Sequence, residues 1–103
     1  MTNPRPALLI QDDRFADLDS IVVCPLTSDP TESKYFRPIL MPNDDNGLTR
    51  SSRLMIDKLG AIPKSRLGKP IGQVEPGDLA RLDRALIVFL GIAGAIFTPA
   101  GDE

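Results

Sequence analysis

The sequence predicts a mainly β fold with one long C-terminal helix: a small barrel of short strands with the helix packed across it. Three observations predict it. Over residues 7–74, short apolar runs rich in Val, Ile and Leu alternate with clusters of Pro, Asn, Asp, Ser and Gly, the pattern of strands between turns. From Pro76 onward the apolar spacing switches to that of a helix. A chain of 103 residues is long enough for one core and short for two domains. Residues 1–94 are read as a single domain and residues 95–103 as a loose tail.

Each element has its own reason. Residues 7–11 are a short buried strand after the Pro4-Arg5-Pro6 entry. Residues 12–19 are a polar loop with Phe15 as its one apolar anchor. Residues 20–26 are β-branched and apolar, as a central strand requires, and Pro25 marks the end of that strand. Ser28-Asp29-Pro30 breaks the chain into a turn. Residues 35–41 form the next strand, and Pro38 puts it at an edge or a bulge. The run from Pro42 to Gly47 is a turn. Residues 52–58 make a fourth strand continuing towards Ile62, residues 63–68 one helical turn, and residues 69–74 a last strand. The helix has Glu75 as its cap, Pro76 at its first position and Asp78 near its positive end. Leu79, Leu82, Leu86, Phe89 and Leu90 form its core-facing stripe, Arg81 and Arg84 lie on the other side, and Gly91 or Gly94 ends it.

Composition excludes several kinds of chemistry. There is no histidine, so imidazole acid–base catalysis, Ser-His-Asp triads and His-ligated metals are removed together. Any catalysis falls to Asp, Glu, Arg, Lys, Ser, Thr or Tyr. The single cysteine, Cys24, sits inside an apolar run and is expected in the core; one cysteine makes neither an internal disulfide nor a zinc site. The chain has no Trp and few aromatics, too few for an extended base-stacking platform. The longest apolar stretch, residues 85–97, is too short to cross a bilayer and holds two glycines. With no signal peptide visible, a soluble cytoplasmic protein is expected, without a membrane partner.

Net charge is −2, but it is unevenly distributed. Residues 11–32 carry six acids against one base, and residues 50–69 six bases against one acid, Asp57. The basic segment is a candidate polyanion-binding face. The sharpest candidate site lies at the first hairpin. If the strands at residues 7–11 and 20–26 run antiparallel, Arg5, just before the first, meets Thr27, just after the second. A guanidinium offers a planar fork of donors and a threonine a short, stiff hydroxyl; together they suit a phosphodiester. The plainer readings are a terminal surface charge for Arg5 and a turn hydroxyl bonding its own backbone for Thr27.

Four stretches resemble the MazF/PemK (Kid) family of toxin ribonucleases. Arg5-Pro6-Ala7-Leu8-Leu9-Ile10-Gln11-Asp12-Asp13 is similar to the family's RPALVIQxD strand, and Val22-Val23-Cys24-Pro25-Leu26-Thr27-Ser28 to its VVxPLTS strand. The stretch from Asn46-Gly47-Leu48 to Ile56-Asp57-Lys58 resembles its NGLxxxSxVxxDK arm. Ser65-Arg66-Leu67-Gly68, Ile71-Gly72 and the helix ending in Phe89-Leu90-Gly91-Ile92 follow in family order. The resemblance implies an SH3-like barrel of the CcdB/PemK type, usually homodimeric. It implies a toxin that cleaves single-stranded RNA without metal or other cofactor and is held inactive by a small antitoxin, the toxin–antitoxin complex binding DNA. Arg5 and Thr27 take the positions of the family's catalytic pair. Ser28, Gln11, Arg50, Arg53 and Lys58 are the further candidates for holding RNA, Ser28 beside Thr27 at the phosphate and the three cations along the backbone.

The chain departs from the pattern at its start. Family members carry a further N-terminal strand and a Gly-rich loop before the RP motif, where only Met1 to Pro4 stand here. A start set too late, a genuine short form, and a strand supplied by another chain are the three explanations. Two other functions compete with the ribonuclease. One is a catalytically silent member that keeps only dimer and antitoxin contacts. The other is a CcdB-like toxin acting by protein binding on gyrase, which the tail from Thr98 to Glu103 does not favour because it lacks a Trp-containing ending.

Overall fold

The fold is built on one long strand that serves every other strand but one. It is described from a computed structural model, for residues 5–29, 37–91 and 98–99. Five strands, β1 (Ala7–Leu9), β2 (Ser20–Thr27), β3 (Ile39–Leu40), β4 (Ser52–Leu54) and β5 (Gly60–Pro63), are followed by one helix, α1 (Pro76–Leu90). All strand pairs are antiparallel. β2 is central: β1 lies along one side, while β5 and β4 line the other, β5 beside its first half and β4 beside its end. β3 lies beyond β4. The described sheet is open between β1 and β3, so the closed barrel expected from the sequence is not seen in these residues.

The alternation of β2 divides its residues between two faces. Cys24 and Leu26 point to the main core, where they join Leu40, Leu54, Ile56 and, from α1, Leu82 and Ala85. Ile21, Val23 and Thr27 are also buried, on the opposite face of the same strand. The core position expected for Cys24 holds; its burial pushes the thiol up to about 11, so it stays protonated and packs as a small apolar group. Pro25 does not end the strand. The ladder there uses its carbonyl, which accepts from Met55 N at 2.8 Å, so the missing N–H costs nothing and β2 runs on to Thr27.

Three other expectations are corrected. The fourth strand is interrupted: a 3-10 turn at Ile56–Lys58 divides β4 from β5. The register on β2 slips by three residues between Leu26↔Leu54 and Val23↔Gly60, the length of that turn. Residues 69–74 form no strand. Pro70 lacks a donor, and Gly72 lies so close to the Asp45–Asn46 backbone that a Cβ would fall 2.4 Å from the Asp45 carbonyl oxygen. The segment is fastened there by one bond, Gln73 N to Asp45 O at 2.7 Å, rather than by a ladder. Phe15 is no anchor; it ends a 3-10 turn at Asp13–Phe15 capped by Asp12 and stays half exposed.

β3 is an edge strand, as Pro38 predicts, but only Ile39–Leu40 is paired; residues 30–36 lie outside the described ones. The expected single turn after β5 is present at Lys64–Arg66. The turn at residues 43–47 is held by side chains. Asn43 Oδ1 accepts from the backbone N–H groups of Asp45 and Asn46, and Asn46 Oδ1 accepts from those of Asn43 and Leu48. α1 has the predicted limits, with Pro76 inside and Gly91 left-handed at φ 62°; Glu75 holds the cap position but its side chain makes no capping bond. The tail expected at residues 95–103 lies outside the described residues apart from 98–99, where no element is formed.

Candidate functional site

The first hairpin pairs as the sequence predicts. Ala7 opposes Pro25, Leu8 opposes Cys24 and Leu9 opposes Val23. A backbone bond from Leu26 N to Pro6 O, 3.2 Å, carries the pairing one step past the end of β1. Continued once more, the register sets Arg5 opposite Thr27. On the other side of β2, Thr27 opposes Arg53 of β4. Directly opposed residues share a face of the sheet, with Cβ atoms about 5 Å apart. Thr27 is therefore paired with Arg53 of β4 on one side, and the extended register points to Arg5, two residues before β1, on the other.

The three side chains differ in setting. Arg5 is exposed, and among the described residues nothing bonds it. Thr27 is buried at 9% exposure. Its Oγ1 accepts from Asp29 N at 3.2 Å, the turn contact that was the plainer reading of this residue. That contact uses a lone pair and leaves the hydroxyl proton free to donate elsewhere. Arg53 is half-buried, and its Nη1 donates to the carbonyl of Arg37 at 3.4 Å. Ser28 follows Thr27 and is exposed.

The other candidates are not gathered here. Gln11 lies two residues past the far end of β1, about 20 Å along the chain from Arg5 at extended-strand rise. Both ends of its amide are used in closing the hairpin: Oε1 accepts from Val22 N at 3.1 Å and Nε2 donates to Phe15 O at 2.9 Å. Arg50 stands just before β4 and Lys58 at the end of the turn after it, both exposed. They flank Arg53 along one arm rather than converging on Thr27. Asp12 and Asp13 form no carboxylate pair; Asp12 bonds Arg14, and that exposed contact lowers its pKa.

One feature of this region lies outside the residues singled out from the sequence. The guanidinium of Arg37 grips the carboxylate of Asp57 in a two-point contact, Nε to Oδ1 and Nη2 to Oδ2, each 2.9 Å. The Arg37 side chain is only 2% exposed and that of Asp57 20%. This hydrogen bonding holds the Asp57 carboxyl below the ordinary carboxylate range against the opposing effect of burial. Asp57 is visible in the sequence as the lone acid of the basic segment. Its partner lies 20 positions away, and no local spacing reveals it. Among the described residues no buried side-chain nitrogen or oxygen is left without a bond, and no cluster of His, Cys, Asp or Glu is arranged to hold a metal ion. No helix of the described residues is long and apolar enough to cross a membrane.

Comparison with known proteins bears on this arrangement. The profile of the family described as PemK-like, MazF-like toxin of type II toxin–antitoxin system matches residues 1–90. A protein of Mycolicibacterium smegmatis named probable endoribonuclease MazF is 46% identical over 91 residues, spanning 88% of this chain and 84% of that one. Endoribonuclease MazF9 of Mycobacterium tuberculosis is 30% identical over 96 residues, spanning 87% and 80%. In three dimensions, the Mycobacterium tuberculosis toxin MazF-mt6 superposes with a TM-score of 0.72 at 23% identity, over 84% of this chain and 86% of that one, a likeness of fold. With the family profile matched along nearly the whole described chain, this protein belongs to the PemK-like, MazF-like toxins of type II toxin–antitoxin systems.

Proposed function

We propose that this chain is an endoribonuclease toxin that cleaves single-stranded RNA at a phosphodiester held between Arg5 and Thr27. The observation that supports the reading is the β1–β2 register, which, extended past Pro6, brings Arg5 opposite Thr27 at one end of β2. The relatives named as endoribonucleases support it.

The chemistry asks little of such a site. RNA contains its own nucleophile, the ribose 2′-OH, so no activated serine or cysteine is needed and no metal is required to generate one. The 2′-OH gives up its proton as its oxygen attacks the adjacent phosphorus, the P–O5′ bond breaks, the leaving 5′ oxygen takes up a proton, and the products are a 2′,3′-cyclic phosphate and a 5′-OH. The protein's task is to orient the phosphate and stabilise the charge that builds on its free oxygens. Arg5 supplies a two-point donor and Thr27 a hydroxyl whose acceptor side is already engaged by Asp29 N. Arg53 adds a second cation on the other flank of Thr27. Ser28 assists at the phosphate, while Arg50 and Lys58 track the RNA backbone on either side of Arg53. Gln11 meets a base edge only if it gives up a backbone contact.

Around this site we read the open sheet as part of an SH3-like barrel, and the toxin as a cytoplasmic homodimer restrained by a small antitoxin. The C-terminal half of α1 supports the dimer: Ile87, Val88, Phe89 and Leu90 are each about half exposed or more, an apolar patch that a second subunit would cover.

The test is incubation of the purified protein with a long single-stranded RNA in EDTA, followed by mapping of the 5′ ends. Cleavage at discrete sites, lost in both Arg5→Ala and Thr27→Ala, is the expected result. An intact RNA with the wild-type chain would overturn the reading in favour of a silent, protein-binding member.

A further inference from the structure

We propose that the Arg37–Asp57 ion pair is a positioning device for Arg53, fixing it as a second phosphate-binding arginine beside Thr27. The proposal rests on reading this face as an RNA phosphate site.

Arg53 has a long side chain that loses considerable freedom when held in one place. Among the described residues one hydrogen bond orients it, to the carbonyl of Arg37 at 3.4 Å. That carbonyl is useful only if the backbone at Arg37 is fixed. The residue stands at the edge of the sheet, two positions before the short strand β3, where a ladder alone holds the chain weakly. Its own side chain helps to fix it, almost fully buried and gripping Asp57 through two bonds. Asp57 is in turn placed by the 3-10 turn that interrupts the β4–β5 arm. The three-residue slip in register therefore has a consequence at the site. It carries Asp57 out of the ladder and onto Arg37.

Arg53 shares a face with Ile39, the residue opposite it, and Arg37 stands two positions before Ile39 with its carbonyl against the Arg53 guanidinium. Two bare guanidiniums there would repel. Asp57 neutralises Arg37, so Arg53 keeps its place and its charge is left for a ligand. Arg37, at 2% side-chain exposure, does not itself reach RNA. It is a positioning residue and Arg53 a phosphate ligand.

The experiment is a double-mutant cycle between Arg53→Gln and the paired replacement Arg37→Met with Asp57→Leu. The paired replacement removes both charges of the pair rather than stranding one; circular dichroism checks that the fold is retained. The probe is a 2′-O-methyl RNA spanning a mapped cleavage site, its binding followed against salt. In the wild-type background, Arg53→Gln should reduce the slope of log affinity against log salt by about 0.7, one phosphate contact on a single strand. It should lower kcat/KM on cleavable RNA about tenfold. The paired replacement should do the same, and adding Arg53→Gln to it should change neither quantity further. A full additional effect of Arg53→Gln in the paired background would overturn the proposal, as would a wild-type salt slope in the folded paired variant.

A second measurement needs no RNA. The side-chain Nε–H group of Arg53 should be immobile by NMR relaxation in the wild type and mobile in Asp57→Asn. Equal mobility in the two proteins would overturn the positioning role. Failure of the wild type to bind or cleave RNA would instead overturn the ribonuclease reading.

Discussion

At the scale of single residues, Thr27 shows how two readings of one side chain can both hold. The hydroxyl does bond its own turn, through Asp29 N, and that bond directs its remaining proton away from the turn. Thr27→Val keeps the shape and removes the hydroxyl. It should lower cleavage about a hundredfold, the usual worth of one donor aimed at developing charge. Thr27→Ser should recover most of the activity, with cleavage of a labelled RNA as the measurement. The Arg5–Thr27 pairing was legible because it needs only a hairpin, and β1 and β2 announce themselves by composition. Gly47 is a residue whose importance is conformational. Its φ is +69°, and a Cβ there would fall 2.1 Å from the backbone oxygen of Ile71. Gly47→Ala should therefore cost about 2 kcal/mol or more in urea unfolding, with the turn, rather than the site, bearing the damage.

At the scale of elements, α1 separates what periodicity can and cannot say. The helix limits were readable because Pro76 and Gly91 are local signals with local causes. The predicted stripe was only partly right. Leu82 is buried and Leu86 half-buried, while Leu79, Phe89 and Leu90 are about half exposed, and Ala85, outside the stripe, is buried. Arg81, assigned to the far side, reaches back to donate to the Ile39 carbonyl at 2.6 Å and so occupies an open acceptor of the edge strand. Spacing fixes which side of a helix is apolar; it does not fix how far the sheet extends beneath it. Two substitutions separate the halves. Leu82→Ala should destabilise the subunit by about 3 kcal/mol, as expected for a fully buried leucine. Val88→Glu should leave subunit stability within about 0.5 kcal/mol and weaken self-association, read by sedimentation. The interrupted β4–β5 arm was illegible for a related reason. Residues 52–62 are apolar enough for one continuous strand, and the three-residue slip exists only because β2 pairs with two segments in different registers.

At the scale of the whole molecule, the Arg37–Asp57 pair joins two parts of the chain that no window of sequence brings together, and it ties stability to pH. Arg37 holds the Asp57 carboxyl below its ordinary 3.8. In the unfolded chain that carboxyl titrates normally, so between the two values the unfolded state carries more protons and stability rises with pH. The contribution is complete above the ordinary carboxylate value and is lost as pH falls through the depressed one. Once Asp57 is protonated, the buried Arg37 guanidinium loses its contact with a carboxylate, which is the costly change in such a pair. Asp57→Asn reaches that state at every pH. It should be about 3 kcal/mol less stable than the wild type at neutral pH. The gap should then close as the medium is taken from about pH 5 towards about pH 2, since the wild type loses what the variant never had. The other carboxylates titrate in both proteins and cancel in the difference. Urea unfolding of the pair of proteins across this range is the measurement. A gap that stays constant into acid would mean that Asp57 supports the fold by shape alone, and that its charge is not what holds Arg37 in place.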